Sequence, residues 1–203
     1  MLTQQERAAL DTIRRRLSQR HAAIAADPEL SPAGKRAARA RAQLGAETEH
    51  RRITQATAAR DAQASRDAYF RAFGLKVTTG DGIEADRRAR ERAAALENPG
   101  DAMRALASAE LRGDTGMARA IAEHCWRYRG DADLGGHWNE VLVAYCDGDR
   151  ARNAALGALA EATDVGGLTE RLYRDPLRRP PDLQHGNIEE IAAASPGVEL
   201  TGV

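Results

Sequence analysis

Asp27-Pro28-Glu29-Leu30-Ser31-Pro32 is the stretch on which the fold of this 203-residue chain turns. Asp27-Pro28 stops a helix, because the residue before a proline is driven out of the α region. Ser31 then offers an N-cap hydroxyl, and Pro32 takes the first helical position, where a missing N–H costs nothing. Upstream, Thr3-Gln4-Gln5-Glu6 is a capping box, in which Thr3 and Glu6 satisfy each other's free backbone N–H groups. Downstream, no proline occurs until Pro99 and no strong breaker until Gly74. The spacing predicts one helix over 4–26 and a longer one over 32–73, folded back on each other.

In the first helix Leu10, Ile13, Leu17 and Ile24 form a narrow seam of coiled-coil type. The second offers Ala37, Ala40, Leu44 and Ile53, which allow close approach but bury little, so the pair is marginal alone. At 1.5 Å per residue the helices measure ~35 and ~60 Å. The shorter therefore covers the longer only to about Arg52, and Thr54–Phe73 overhangs. Its last turns carry Tyr69, Phe70 and Phe73, an apolar patch to be covered by the C-terminal domain or by another subunit.

Gly74–Gly82 reads as a linker or short hairpin and as the domain boundary. Ile83–Glu97 reads as a charged helix, ended by Asn98-Pro99-Gly100. Residues 101–163 carry a weak repeat in which Ala109-Glu110-Leu111-Arg112-Gly113-Asp114 aligns with Ala144-Tyr145-Cys146-Asp147-Gly148-Asp149 at an offset of 35. At the same offset Met103 falls on Trp138, Leu106 on Val141, Ala120 on Ala155 and Ile121 on Leu156. Each unit reads as helix, Gly-Asp turn, helix, with a period near that of tetratricopeptide units. Trp126, Trp138 and Tyr145 should fill the seam between two αα-hairpins. After Asp164 the pattern fades; Pro176, Pro180, Pro181 and Pro196 interrupt an extended arm with one helical segment, Asn187–Ala194.

Lys+Arg and Asp+Glu both number 30, which argues against a globally basic nucleic-acid binder. The balance hides a gradient, with a net charge of +6 over residues 1–72 and −6 over 98–203. Opposite ends of this kind favour head-to-tail self-association or docking on a charged partner. Only Lys35 and Lys76 are lysines, a bias that codon usage in a high-GC genome explains. Aromatic residues are 4% of the chain and cluster at Tyr69–Phe73 and Trp126–Tyr145, so cores should be small and local. No apolar run reaches the ~20 residues of a membrane span, and Met1-Leu2-Thr3 opens no signal-peptide core. A soluble protein made in the cytoplasm is expected.

Reactive residues are few. Cys125 and Cys146 lie in apolar helical patterns and read as buried free thiols, consistent with a reducing compartment. With His124 and His137 they form the one conceivable metal set, but the spacing fits no zinc template. His137 and Glu140 read as a surface hydrogen bond rather than an acid–base pair. Gly113-Asp114 and Gly148-Asp149 are a C′ glycine followed by an N-cap aspartate, which accounts for Arg112-Gly113-Asp114 without an adhesion role. Gly80-Asp81-Gly82 is too short to cradle phosphate. Arg14-Arg15-Arg16 and Lys35-Arg36, with Arg39 and Arg41, could serve nucleic acid, but without interleaved aromatics a solvated face is favoured.

Leu2-Thr3, Leu10-Asp11 and Ile13, followed by Ile24-Ala25-Ala26-Asp27-Pro28-Glu29-Leu30-Ser31-Pro32-Ala33-Gly34-Lys35, resemble small α-helical proteins of virion-assembly gene clusters in actinobacterial tailed phages and prophages. The likeness continues through Phe73-Gly74 and through Ala109–Asp114 and Ala118-Arg119-Ala120-Ile121-Ala122, covering roughly residues 1–128. It brings no catalytic residue. It implies a non-enzymatic structural or assembly component of a tailed phage particle, in the capsid or head-tail region. Such a protein would be made in the host cytoplasm and then built into the virion.

The expected architecture is all-α: an N-terminal antiparallel helical hairpin, coiled-coil-like, over 1–73; a linker and charged helix over 74–100; a compact domain of two αα-hairpins over 101–163; and a proline-interrupted C-terminal arm over 164–203. Candidate protein-interaction residues are Tyr69, Phe70 and Phe73, with the seam residues Leu10, Ile13, Leu17 and Ile24. No catalytic, cofactor or metal residue is expected. Partners would be other virion proteins and copies of the chain itself, with nucleic acid disfavoured and no membrane. The alternative is a regulatory nucleic-acid-binding helical protein that uses the basic N-terminal hairpin.

Overall fold

The structure, a computed structural model, describes residues 2–74, 79–164 and 168–194. Among these, regular structure is helical throughout. The elements are α1 (Gln4–Ala26), α2 (Pro32–Phe73), α3 (Gly80–Ala94), α4 (Pro99–Leu111), α5 (Thr115–Tyr128), α6 (Gly135–Cys146), α7 (Arg150–Thr163), α8 (Leu168–Arg174), a 3₁₀ turn (Pro181–Leu183) and α9 (Ile188–Ala193). No helix among the described residues is long and apolar enough to cross a membrane. The chain divides into two compact units, residues 1–62 with 165–203 and residues 63–164. The division falls inside α2, between Ala62 and Gln63, whereas the sequence placed its boundary at Gly74–Gly82. Within that stretch residues 75–78 lie outside the described residues, and Gly80-Asp81-Gly82 is the first turn of α3, capped by Thr79.

In the first unit the expected caps are in place. The Thr3 hydroxyl accepts the Glu6 N–H at 3.2 Å, while the Thr3 N–H donates to Glu6 Oε2 at 2.7 Å. Ser31 Oγ accepts the Gly34 N–H at 3.1 Å. Leu10, Ile13 and Leu17 are buried against Ala42, Ala46 and Ile53, and Ile24 is half-buried. Glu6 meets Thr57 at 3.0 Å and Arg60 at 2.7 Å, and Arg16 meets Glu49 at 3.5 Å. Lys35 Nζ donates to the Ala25 carbonyl at 2.9 Å.

Residues 168–194 belong to this same unit. Leu177 joins Leu2, Leu10, Ile13 and Leu17, while Leu183, Ile188 and Ile191 bury around Ala40. A stretch broken by prolines leaves carbonyls without helical partners, and buried backbone acceptors need donors. Side chains of α1 and α2 supply them. Arg14 donates to the Leu172 carbonyl at 2.8 Å, His50 to Tyr173 at 3.1 Å, Gln43 to Leu177 at 3.5 Å and Arg36 to Asp182 at 3.1 Å. Arg179 returns a two-pronged ion pair to Glu47 at 2.8 and 2.9 Å. The segment also holds a helix beyond the one expected, α8; residues 195–203 lie outside the described residues.

The second unit is built around α5, which packs on α3, α4 and α6, while α6 also packs on α4 and α7. Ala118, Ile121, Ala122, Cys125 and Trp126 of α5 are buried, with Leu106 and Ala109 of α4, Trp138, Val141 and Tyr145 of α6, and Leu156 and Leu159 of α7. The two Gly-Asp turns are alike. Gly113 and Gly148 adopt φ of +67° and +70°, open to glycine at little cost. Asp114 then accepts the Met117 N–H at 2.9 Å, and Asp149 the N–H groups of Ala151 and Arg152 at 2.9 and 3.0 Å.

Candidate interaction surfaces

The expected aromatic patch separates into a core pair and one exposed ring. Phe73 is 0% exposed and Phe70 69% exposed. Tyr69 and Phe73 lie four residues apart on one face of α2, their rings edge to face at 5.3 Å, and Phe73 tilts toward Trp126 at 6.4 Å. The last turns of α2 thus enter the second unit and complete its core. Phe73 and the half-buried Tyr69 are covered by their own chain, the first of the two covers expected for the patch.

Sequence reading missed what surrounds this pair. Glu123 of α5 is buried, yet it accepts from the Tyr69 hydroxyl, lies 2.5 Å from Arg127 and pairs with Arg90 Nη1 at 2.6 Å. Arg90 reaches Asp86 at 2.8 Å and the Phe73 carbonyl at 3.3 Å. Arg119 also holds Asp86 and donates to the Gly74 carbonyl at 3.2 Å. Two arginines therefore satisfy carbonyls at the C-terminal end of α2, where the helix dipole favours positive charge. Burial, with the Glu123 carboxylate beside it, pushes the Tyr69 hydroxyl above its ordinary pKa. The arrangement ties α2, α3 and α5 together. The signal was present as i,i+4 charge pairs on α3 and α5, which read equally well as solvated faces.

The other reactive side chains are also engaged. His124 stacks against Tyr128 at 4.8 Å, meets the Trp138 ring edge to face at 5.5 Å and donates from Nε2 to the Leu96 carbonyl at 3.0 Å. Burial holds its pKa below the ordinary histidine value. Burial pushes the Cys125 thiol up to about 12, and the half-buried Cys146 thiol also upward, so neither is a ready nucleophile. His137 and Glu140 sit 3.5 Å apart at the surface. Among the described residues, no group of three or more His, Cys, Asp or Glu side chains is arranged to hold a metal ion.

The open feature of the first unit is a groove of about 690 Å³ between α1 and α2. Ile13, Leu17, Ile24 and Leu30 give it an apolar wall, and Gly34, Ala38, Ala42 and Gly45 leave the room that larger side chains would fill. Arg16, Arg20, Arg41 and Glu49 rim it. The seam residues thus have two roles, since Leu10 is wholly core while Ile13, Leu17 and Ile24 also face the groove. Of the basic residues considered for nucleic acid, Arg14 and Arg36 hold carbonyls of the C-terminal segment and Arg39 pairs with Asp182 at 3.3 Å.

In the second unit a turn between α5 and α6 presents Tyr128 and Leu134, 48% and 41% exposed, on either side of Asp131 and Asp133. Asp131 accepts the N–H groups of Asp133 and Leu134 at 3.0 and 2.8 Å, which holds its carboxyl below the usual range and fixes the turn. Comparisons with protein families, characterised proteins and solved structures found no match to this chain.

Proposed function

We propose that this protein is a non-enzymatic structural or assembly component of a tailed phage particle, in the capsid or its head-tail region. The observation that carries the reading is the open, apolar, arginine-rimmed groove on a unit whose other charged side chains are largely spent on internal bonds. A wall of Ile and Leu side chains suits another protein surface better than a phosphate backbone, which asks for positive charge along its length. The likeness of residues 1–128 to small helical proteins of virion-assembly clusters supplies the setting. In this reading α1 and α2 are an antiparallel hairpin, residues 168–194 are an arm laid along it, and α4–α7 are two αα-hairpins. The protein is made in the host cytoplasm and joins other virion proteins and copies of itself.

The test is to quantify the chain by mass spectrometry in purified particles and in assembly intermediates from the same lysate. A defined copy number in either is expected; absence from both overturns the reading. The rival, nucleic-acid binding through the basic N-terminal hairpin, draws on Arg14, Arg15, Arg16, Lys35, Arg36, Arg39 and Arg41, of which Arg14, Arg36 and Arg39 are committed to the C-terminal segment and Arg16 meets Glu49. It requires DNA binding at low salt that weakens steeply as salt rises.

A further inference from the structure

We infer that the groove between α1 and α2 of one copy receives the Tyr128–Leu134 turn of a second copy. This deepens the assembly reading and rests on it. The two surfaces are complementary in charge: Arg16, Arg20 and Arg41 outnumber Glu49 at the groove rim, whereas the turn carries Asp131 and Asp133, its one arginine, Arg129, lying back over the Trp126 ring, with Glu140 following on α6. The match extends to whole units, since the first has 16 basic and 13 acidic residues and the second 14 and 17. They are complementary in polarity as well, because Tyr128 and Leu134 are exposed apolar side chains beside those acids and the groove has an apolar wall. The turn is also preorganised. Tyr128 stacks on Trp138 at 5.6 Å and His124 at 4.8 Å, and the Asp131 carboxylate fixes the backbone, so little freedom is lost on docking.

Groove and turn are different surfaces, so each copy carries one of each. Such a contact closes where two copies exchange it reciprocally or where several form a ring, and otherwise runs on as a filament. Partly exposed arginine–carboxylate contacts make it sensitive to salt.

Two variants of the full chain separate the halves of the contact. Arg20→Glu with Arg41→Glu reverses the groove rim and keeps the Arg16–Glu49 pair, while Asp133→Asn with Leu134→Ser blunts the turn and keeps Asp131. Sedimentation velocity over a concentration series at low and high salt is the readout, with circular dichroism checking that helicity is intact. The wild-type chain is expected to associate, more strongly at low salt, and each variant about tenfold or more weakly. An equal mixture of the two variants should form a dimer that grows no further, since one retains the turn and the other the groove. A monomeric wild type, unaltered association in both variants, or a mixture that stays monomeric overturns the inference. The particle count is read separately. Incorporation by a chain that does not self-associate sinks this contact and spares the assembly reading; self-association without incorporation does the reverse.

Discussion

Phe70 and Phe73 differ by three positions and have opposite fates. Phe73 fills the centre of the second unit against Tyr69 and Trp126, whereas the Phe70 ring is exposed. Phe73→Ala should cost about 3–5 kcal/mol, the range for emptying a buried aromatic site. Phe70→Ala should stay within about 0.5 kcal/mol, as at an ordinary surface position. Urea unfolding followed by tryptophan emission distinguishes them, and equal small losses would contradict the burial of Phe73. A second residue-scale effect concerns pH. Burial holds His50 and His124 below the ordinary pKa of about 6.5, so the unfolded chain takes up these protons first as acid is added. Their effect is absent above pH 6.5, and stability falls as pH drops below it. The carboxylates of Glu6, Glu47 and Glu170 are lowered, Glu6 to about 2, so their stabilisation is present above the ordinary carboxylate range and lost only in stronger acid. The urea midpoint should therefore already decline between pH 7 and 5. A flat midpoint there would mean the histidines are not buried neutral.

The elements legible in the sequence are those fixed by neighbours three or four residues away. Thr3 with Glu6, Ser31 with Pro32, and the Gly-Asp pairs at 113–114 and 148–149 specify caps and turns through their own backbone geometry. Substituting Gly113 or Gly148 by Ala forces a side chain onto a positive φ, which should cost about 1–2 kcal/mol at either turn by thermal unfolding. A loss at one alone would mean that the repeat is only a likeness of letters. Long-range features were not legible. Nothing breaks the helical pattern near Ala62, so the division within α2 left no local trace. Arg14, Arg36, Gln43 and His50 have the look of a solvated helix face; their partners are carbonyls more than 120 residues later in the chain. Thr79 is a good cap, but the glycines after it read as a loop. The groove was invisible because it is a lack of side chain on one helix facing large side chains on another.

At the scale of the molecule, the first unit draws its core from both ends of the described chain. Leu177, Leu183, Ile188 and Ile191 each gain roughly 1.5–3 kcal/mol on burial, together comparable to the whole stability of an ordinary domain. A chain cut after Asp164 should keep the helical signal and cooperative melt of residues 63–164, while residues 1–62 lose protease protection. Protection retained over α1 and α2 in the shortened chain would show that the seam suffices alone. The same arrangement sets a clock on biosynthesis. Residues 1–62 leave the ribosome first, but the segment that covers them follows more than 100 residues later, a delay of roughly 5–20 s at ordinary elongation rates. The nascent chain spends that interval with Leu10, Ile13 and Ala40 short of their cover while the inserted unit is already free to fold. A chaperone that grips newly made apolar helices has its opening there, and synonymous codons that slow translation between Gly74 and Asp164 would lengthen it.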